Sequence, residues 1–158
     1  MTRELITSWS DYRAAADRLL ALASEKIAVY DEDLVELRLE SAAALEQLQR
    51  IVKGGQGVAL RLAVRNAAPL AQRQPGLLKL LTVFGHRALA QQTPEQLAHL
   101  RDNLLIVDDR HALIRFDREQ ARGKLLIDEA DEVRPYARRF EEIWAEGGER
   151  FTATTLGL

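Results

Sequence analysis

Two hydrophobic periods alternate along the chain. Tyr12, Ala15, Ala16, Leu19, Leu22 and Ala23 recur at three- and four-residue steps, so they line one face of a helix. Ser10 is placed to cap that helix, and Glu4 to Thr7 reads as a short strand before it. Lys26 to Asp31 is a short apolar run, the pattern of a buried strand. A second helical stripe, Leu45, Leu48, Ile51 and Val52, follows Ser41 and stops at Gly54-Gly55, because glycine accepts the left-handed conformation of a helix end. Val58, Leu60, Leu62 and Val64 then alternate with Ala59, Arg61, Ala63 and Arg65, which is strand periodicity. Ala67 to Phe84 is helical but broken at Pro75-Gly76, and Gly85 stops it. Arg87 to Gln91 reads as another strand, and Thr93-Pro94-Glu95-Gln96 carries the cap, proline and glutamine of a helix start.

The last third changes character. Asn103 to Asp108 is a strongly apolar strand, Asp109-Arg110 a tight turn, and His111 to Phe116 the returning strand. Gly123 to Ile127 adds one more. Asp128 is placed to cap a final helix with the stripe Val133, Tyr136, Phe140, Ile143 and Trp144, closed by Gly147-Gly148. The early alternation of strand and helix predicts parallel crossovers, and the late hairpin makes the sheet mixed. The expected fold is α/β, a mixed sheet of about seven strands with helices on both faces. Residues 1–150 are expected to form one domain and residues 151–158 a tail.

Composition narrows the chemistry. A chain of 158 residues fits one domain. Lys and Arg number 22 against 24 Asp and Glu, a net charge of -2, which argues against nucleic acid held by bulk electrostatics while leaving room for a local basic stripe. The absence of cysteine excludes disulfides, thiol catalysis and Cys-ligated zinc, and fits a reducing cytoplasm. The N-terminus lacks the apolar stretch of a signal peptide, and no apolar run reaches about 18 residues, so neither secretion nor a membrane span is expected.

Asn103-Leu-Leu-Ile-Val-Asp108, the Asp109-Arg110 turn and Tyr136-x3-Phe140-Glu-Glu-Ile143-Trp144 resemble the closing strand, hairpin and helix of phospholipase D-like domains. The whole chain is also similar to an uncharacterised bacterial family of degenerate domains of that kind. In the superfamily the strand carries His-x-Lys-x4-Asp. Counting back from Asp108, Arg101 stands where the His belongs and Asn103 where the Lys belongs. Arginine stays protonated and offers no lone pair to attack phosphorus, and asparagine brings only a neutral amide. The Gly-Ser region beyond the hairpin reads Arg115-Phe116. A shifted register, His99-x-Arg101 with Asp108, restores a histidine but is two residues too long. The resemblance therefore implies a domain without catalytic residues, metal or cofactor. It also implies a homodimer, because the superfamily uses two motif copies and this chain holds one at most.

Candidate site residues are Arg101, Asn103, Asp108, His111 and Arg115. Arg101 and Asn103 share one face of their strand, and His111 and Arg115 share one face of theirs. If the faces coincide, two arginines offer a phosphate-like anion charge-assisted hydrogen bonds. The competing reading is a solvated or salt-bridged sheet edge. Asp108, Asp109 and His111 cluster at the turn, where turn chemistry outweighs a divalent-metal site. His86 follows a helix end and reads as structural, Phe140 and Trp144 as core, and Arg134, Arg138 and Arg139 as a mixed solvated face beside Glu141 and Glu142. The leading functional expectation is an inactive phospholipase D-like domain acting in protein interaction or dimerisation. A phosphate-binding module and a residual phosphodiesterase are the alternatives.

Overall fold

The computed structural model describes residues 1–151. Eight strands form one sheet: β1 (Thr2–Ile6), β2 (Ile27–Asp31), β3 (Leu60–Val64), β4 (Ala88–Gln92), β5 (Asn103–Val107), β6 (His111–Arg115), β7 (Gly123–Ile127) and β8 (Glu149–Arg150). Their spatial order is β1-β7-β6-β5-β2-β3-β4-β8. Only β2, β3 and β4 pair in parallel, and every other neighbour is antiparallel. The sheet is mixed, as expected. Its eighth strand, two residues long, escaped the sequence pattern because it is too short to show a period.

Among the described residues five α-helices cover it: α1 (Trp9–Leu22), α2 (Ala42–Lys53), α3 (Ala68–Arg73), α4 (Pro75–Val83) and α5 (Ala130–Ala145). Leu19, Leu48, Leu70 and Leu77 of the first four pack with Val29, Leu62, Leu105 and Leu113 on one face. The fifth packs Val133, Phe140 and Ile143 against Tyr30, Leu104, Ile106 and Ile114 on the other. Alternation along β5 explains both layers, since all five of its residues are buried and odd and even positions serve opposite faces.

Several predicted boundaries moved. The α1 cap is Ser8, which accepts from Asp11 N at 3.1 Å, and Ser10 lies inside the helix. Ser41 caps α2 as expected, accepting from Ala44 N at 3.2 Å. The start signal at Thr93 yields only a short 3₁₀ turn, Glu95–Leu97. Asp128 does not cap α5. It adopts φ 54° and is engaged by the hairpin, while Glu129 occupies the cap position without a side-chain cap bond. Phe151, expected in a tail, is buried in the core and donates its N–H to the Ala90 carbonyl at 3.2 Å. The rest of the expected tail, residues 152–158, lies outside the described residues. Gly148 is required where it stands. Its φ is 129°, and a Cβ there would run into the Gln92 carbonyl beside β8.

One buried cation closes a helix end. Arg87 is 6% exposed, and its guanidinium donates to the carbonyls of Ile51, Val52, Gly54 and Gly57. The first three lie at the C-terminus of α2, where the helix leaves carbonyls without intrahelical partners, and the fourth lies in the loop beyond it, so the side chain completes the helix and ties it and that loop to the start of β4. Arg87→Met keeps the apolar stem and removes all four bonds. We expect it to cost about 3 kcal/mol, given several lost charge-assisted bonds at a buried site, and urea denaturation measures the loss.

Candidate functional site

The parallel strands end together, and in open α/β sheets ligands bind outside such carboxyl ends. Asp31 closes β2 there, fully buried at 1% exposure. Its Oδ2 accepts the N–H groups of Leu34 at 2.7 Å and Asp33 at 3.2 Å, which shapes the loop leading to α2. Its Oδ1 accepts from Arg115 Nη2 at 3.2 Å. Burial pushes the Asp31 carboxyl up from its ordinary range, and the guanidinium and the two amides pull it back.

Arg115, also 1% exposed, ends β6 and is the arginine of this pair. Its Nη1 donates to the carbonyls of Asp117 at 3.0 Å and Arg118 at 2.7 Å, and its plane lies about 5 Å from the rings of Trp9 and Tyr12 on α1. Burial, followed by the Asp31 charge, pushes the Tyr12 hydroxyl up. The Arg115 Nε has no partner.

Asn103 opens β5 directly opposite Arg115. Its Oδ1 accepts from Arg65 Nη2 at 2.7 Å and Glu32 N at 3.1 Å, and its Nδ2 donates to the Arg101 carbonyl at 3.2 Å. Arg65 in turn pairs with Glu32 at 2.8 Å and lies over the Tyr30 ring at 4.7 Å. Arg101 is held outside this network by Asp117 and, at 3.3 Å, by Glu119. Its hydrogen bonds hold the Asp117 carboxyl down at about 2. A cleft of about 370 Å³ opens beside these groups, lined by Glu32, Asp33, Glu36, Arg73, Arg115 and Arg118 among others.

The remaining candidates sit at the far end of the hairpin. Asn103 and Asp108 are five residues apart, about 16 Å along a strand, and His111 and Arg115 are separated by about 13 Å. Asp108 and Asp109 both have φ 55°, a region aspartate enters more readily than most side chains. Asp108 Oδ1 accepts from Glu25 N at 2.8 Å and Lys26 N at 2.9 Å, and its Oδ2 accepts from the N–H of Ser24 at 2.9 Å and its hydroxyl at 3.0 Å. Burial alone would raise this carboxyl, but the four donors bring it below its ordinary value. It fixes the turn between α1 and β2. Asp109 pairs with Lys26 at 2.6 Å. His111, on the same face as Arg115, accepts at Nδ1 from Asp128 N at 3.0 Å, and the Asp128 carboxylate pairs with Arg110 at 2.8 Å. Among the described residues no three His, Asp or Glu side chains gather as a metal site requires.

The structure thus brings Asn103 and Arg115 together, places Arg101 beside them through Asp117, and sets Asp108 and His111 apart. The sequence reading missed Asp31, Glu32, Arg65 and Asp117. Their signal was a charged residue at the end of an apolar strand or just beyond it. His99 precedes β5 and is exposed.

Sheet order, helices on both faces and the closing hairpin-strand-helix define a phospholipase D-like fold. Solved structures agree. Nuc from Salmonella typhimurium, a phospholipase D family member, superposes with a TM-score of 0.63 at 10% identity over 96% of this chain and 99% of its own. NucT from Helicobacter pylori gives 0.55 at 9% identity, over 92% and 96%. TrmBL2, an archaeal chromatin protein, gives 0.68 at 11% identity over 94% of this chain, which spans only 54% of that longer protein. The chain belongs to the family described as Domain of unknown function (DUF7931), whose profile matches residues 8–153. No curated protein matches it. No helix among the described residues is long and apolar enough to cross a membrane.

His111 gives a pH prediction. Burial lowers its pKa, so the folded protein favours the neutral ring that accepts from Asp128. The unfolded chain binds more protons below about pH 6.5, so this contribution is complete above that value and is lost as pH falls through the folded pKa. Denaturation midpoints should therefore drop between pH 7.5 and 5.5, and His111→Asn, whose oxygen can accept the same bond, should flatten that drop.

Proposed function

We propose that this chain is a non-catalytic phospholipase D-like domain that works by holding a protein partner, first of all a second copy of itself. One observation carries the reading. Asn103, at the position where the resemblance puts a lysine, is 1% exposed with both ends of its amide in use. Around it, Arg115 is committed to Asp31, Arg65 to Glu32 and Arg101 to Asp117. A phosphodiesterase centre of this class needs a histidine nitrogen free to attack phosphorus and a cation free to hold its oxygens. His111 lies at the other end of its strand, and the three cations around Asn103, Arg115, Arg65 and Arg101, are already paired. The dimer follows from the resemblance, and a two-fold pairing is the commonest assembly.

The alternative, an anion held by Arg101, His111 and Arg115, finds less support, since the length of β6 separates two of its three members. TrmBL2 is described as showing a novel mode of DNA binding, and that keeps nucleic acid open as a partner here. The net charge of -2 weighs against a bulk electrostatic grip.

Bis(4-nitrophenyl) phosphate hydrolysis and light-scattering mass decide the matter. The expected result is turnover equal to the buffer blank and a mass twice that of the chain. Turnover abolished by His99→Ala or His111→Ala would overturn the non-catalytic reading. A monomer at every accessible concentration would overturn the self-association.

A further inference from the structure

The sheet has one open edge. On the far side β8 and Phe151 lie beside β4. β1 is the opposite border, and among the described residues nothing pairs with its outer side. An unpaired edge is a template for another strand, and proteins blunt it with proline, bulges, short length or charge. β1 has five residues, neither proline nor glycine, and a residue-for-residue register with β7 that leaves no bulge. Both of its charges are engaged. Arg3 is held by Glu129 at 3.0 Å and Glu132 at 2.5 Å, and Glu4 pairs with Arg18 at 3.6 Å. The flanking helices pack mainly on strands further in, α1 on β5, β6 and β7 and α5 on β2, β5 and β6. The two most exposed large hydrophobic side chains among the described residues also lie here, Met1 at 89% and Leu5 at 65%. Side chains alternate along a strand, so Met1, Arg3 and Leu5 share one face. It is the face that carries α5, because Leu5 stands opposite Lys124, and Lys124 lies over the Tyr136 ring.

We propose that the outer side of β1 pairs antiparallel with β1 of a second copy, about a two-fold axis that passes through Arg3 perpendicular to the sheet. The pairing rests on the self-association proposed above and gives it a surface. It sets Met1 against Leu5 of the second copy, twice by symmetry, and Thr2 against Glu4. Self-complementarity of the strand selects this register. An axis at Glu4 would place Glu4 against Glu4 and Arg3 against Leu5, and an axis at Leu5 would leave Met1 beyond the paired strands. Like charges directly opposite are unfavourable. The facing Arg3 side chains are compensated, since Arg3 and Lys124 of each copy stand with Glu129 and Glu132, two cations with two carboxylates. The two eight-stranded sheets become one. Seven strand spacings, about 34 Å, then separate the two Asn103 networks, which lie at opposite ends of the joined sheet, so the dimer does not merge them into one centre. One strand pair is a small contact, which makes the dimer concentration-dependent.

Light scattering over a concentration series and disulfide trapping test the pairing on the full chain, which has no cysteine of its own. Arg3→Cys places two thiols directly opposite and should give a disulfide dimer under mild oxidation. Leu5→Cys sets its thiols about 13 Å apart along the strands, beyond disulfide reach, and should stay uncross-linked. Leu5→Lys should weaken the dimer at least about tenfold, the scale of burying a leucine, and should keep the wild-type circular dichroism spectrum because the side chain is exposed in the single chain. A wild-type dimer that Leu5→Lys leaves intact, or that is trapped through Leu5→Cys and not through Arg3→Cys, overturns this surface while the self-association stands. A wild-type chain that is monomeric at every accessible concentration overturns both. A monomeric chain whose β1 amides are protected from exchange only by an added extended peptide assigns the edge to another protein's strand and overturns the self-pairing.

Discussion

The ion pair between Asp31 and Arg115 organises the carboxyl end of the sheet. Two fully buried charges pay heavily in lost hydration, and they are tolerable only when their remaining lone pairs and protons are satisfied. Here Asp31 also accepts two loop amides and Arg115 also donates to two carbonyls and lies near two aromatic rings, which satisfies most of the pair's polar groups and leaves the Arg115 Nε–H without a partner. The pair therefore joins four things at once: the end of β2, the loop that leads to α2, the end of β6 and the first turns of α1. Removing either partner leaves the other charge stranded.

The same network decides what this end of the molecule can do. In open α/β sheets ligands bind outside the carboxyl ends of the strands. In this chain the space beside Asn103 is crossed by Arg65, Glu32 and Arg118, each bound to another. Groups that stabilise one another in the resting protein are not free to stabilise a developing charge.

The sequence reading caught the architecture because buried strands and amphipathic helices have periods that survive without coordinates. Ser41, Gly54 and the Pro75-Gly76 break were local signals with local causes. What it misplaced depended on distance in the chain. Asp128 is held at φ 54° with its carboxylate paired to Arg110 and its N–H given to His111, seventeen residues away in sequence, so a residue suited to capping does not cap. Thr93 begins a proper helix signal, but Leu97 and Leu100 are drawn against the face that α5 covers, and only a 3₁₀ turn forms. Phe151 looked like tail until β8 paired with β4 and brought it onto the core. For the site, alternation put His111 and Arg115 on one face correctly, but a shared face says nothing of shared height. Asp31 was invisible as a partner of Arg115 because 84 residues separate them.

A double-mutant cycle on Asp31 and Arg115 tests the central claim most directly. Arg115→Met and Asp31→Asn should each destabilise the fold by about 3 kcal/mol or more, since each strands a buried charge or strips its bonds. The double variant should be less destabilised than the sum by about 1–3 kcal/mol, the coupling of residues in contact. That result would establish Arg115 as a structural cation already spent on the fold. The contrary result is an Arg115→Met protein with unchanged stability and no coupling to Asp31, which would mean that the guanidinium is held in reserve for a ligand and that the centre is not neutralised.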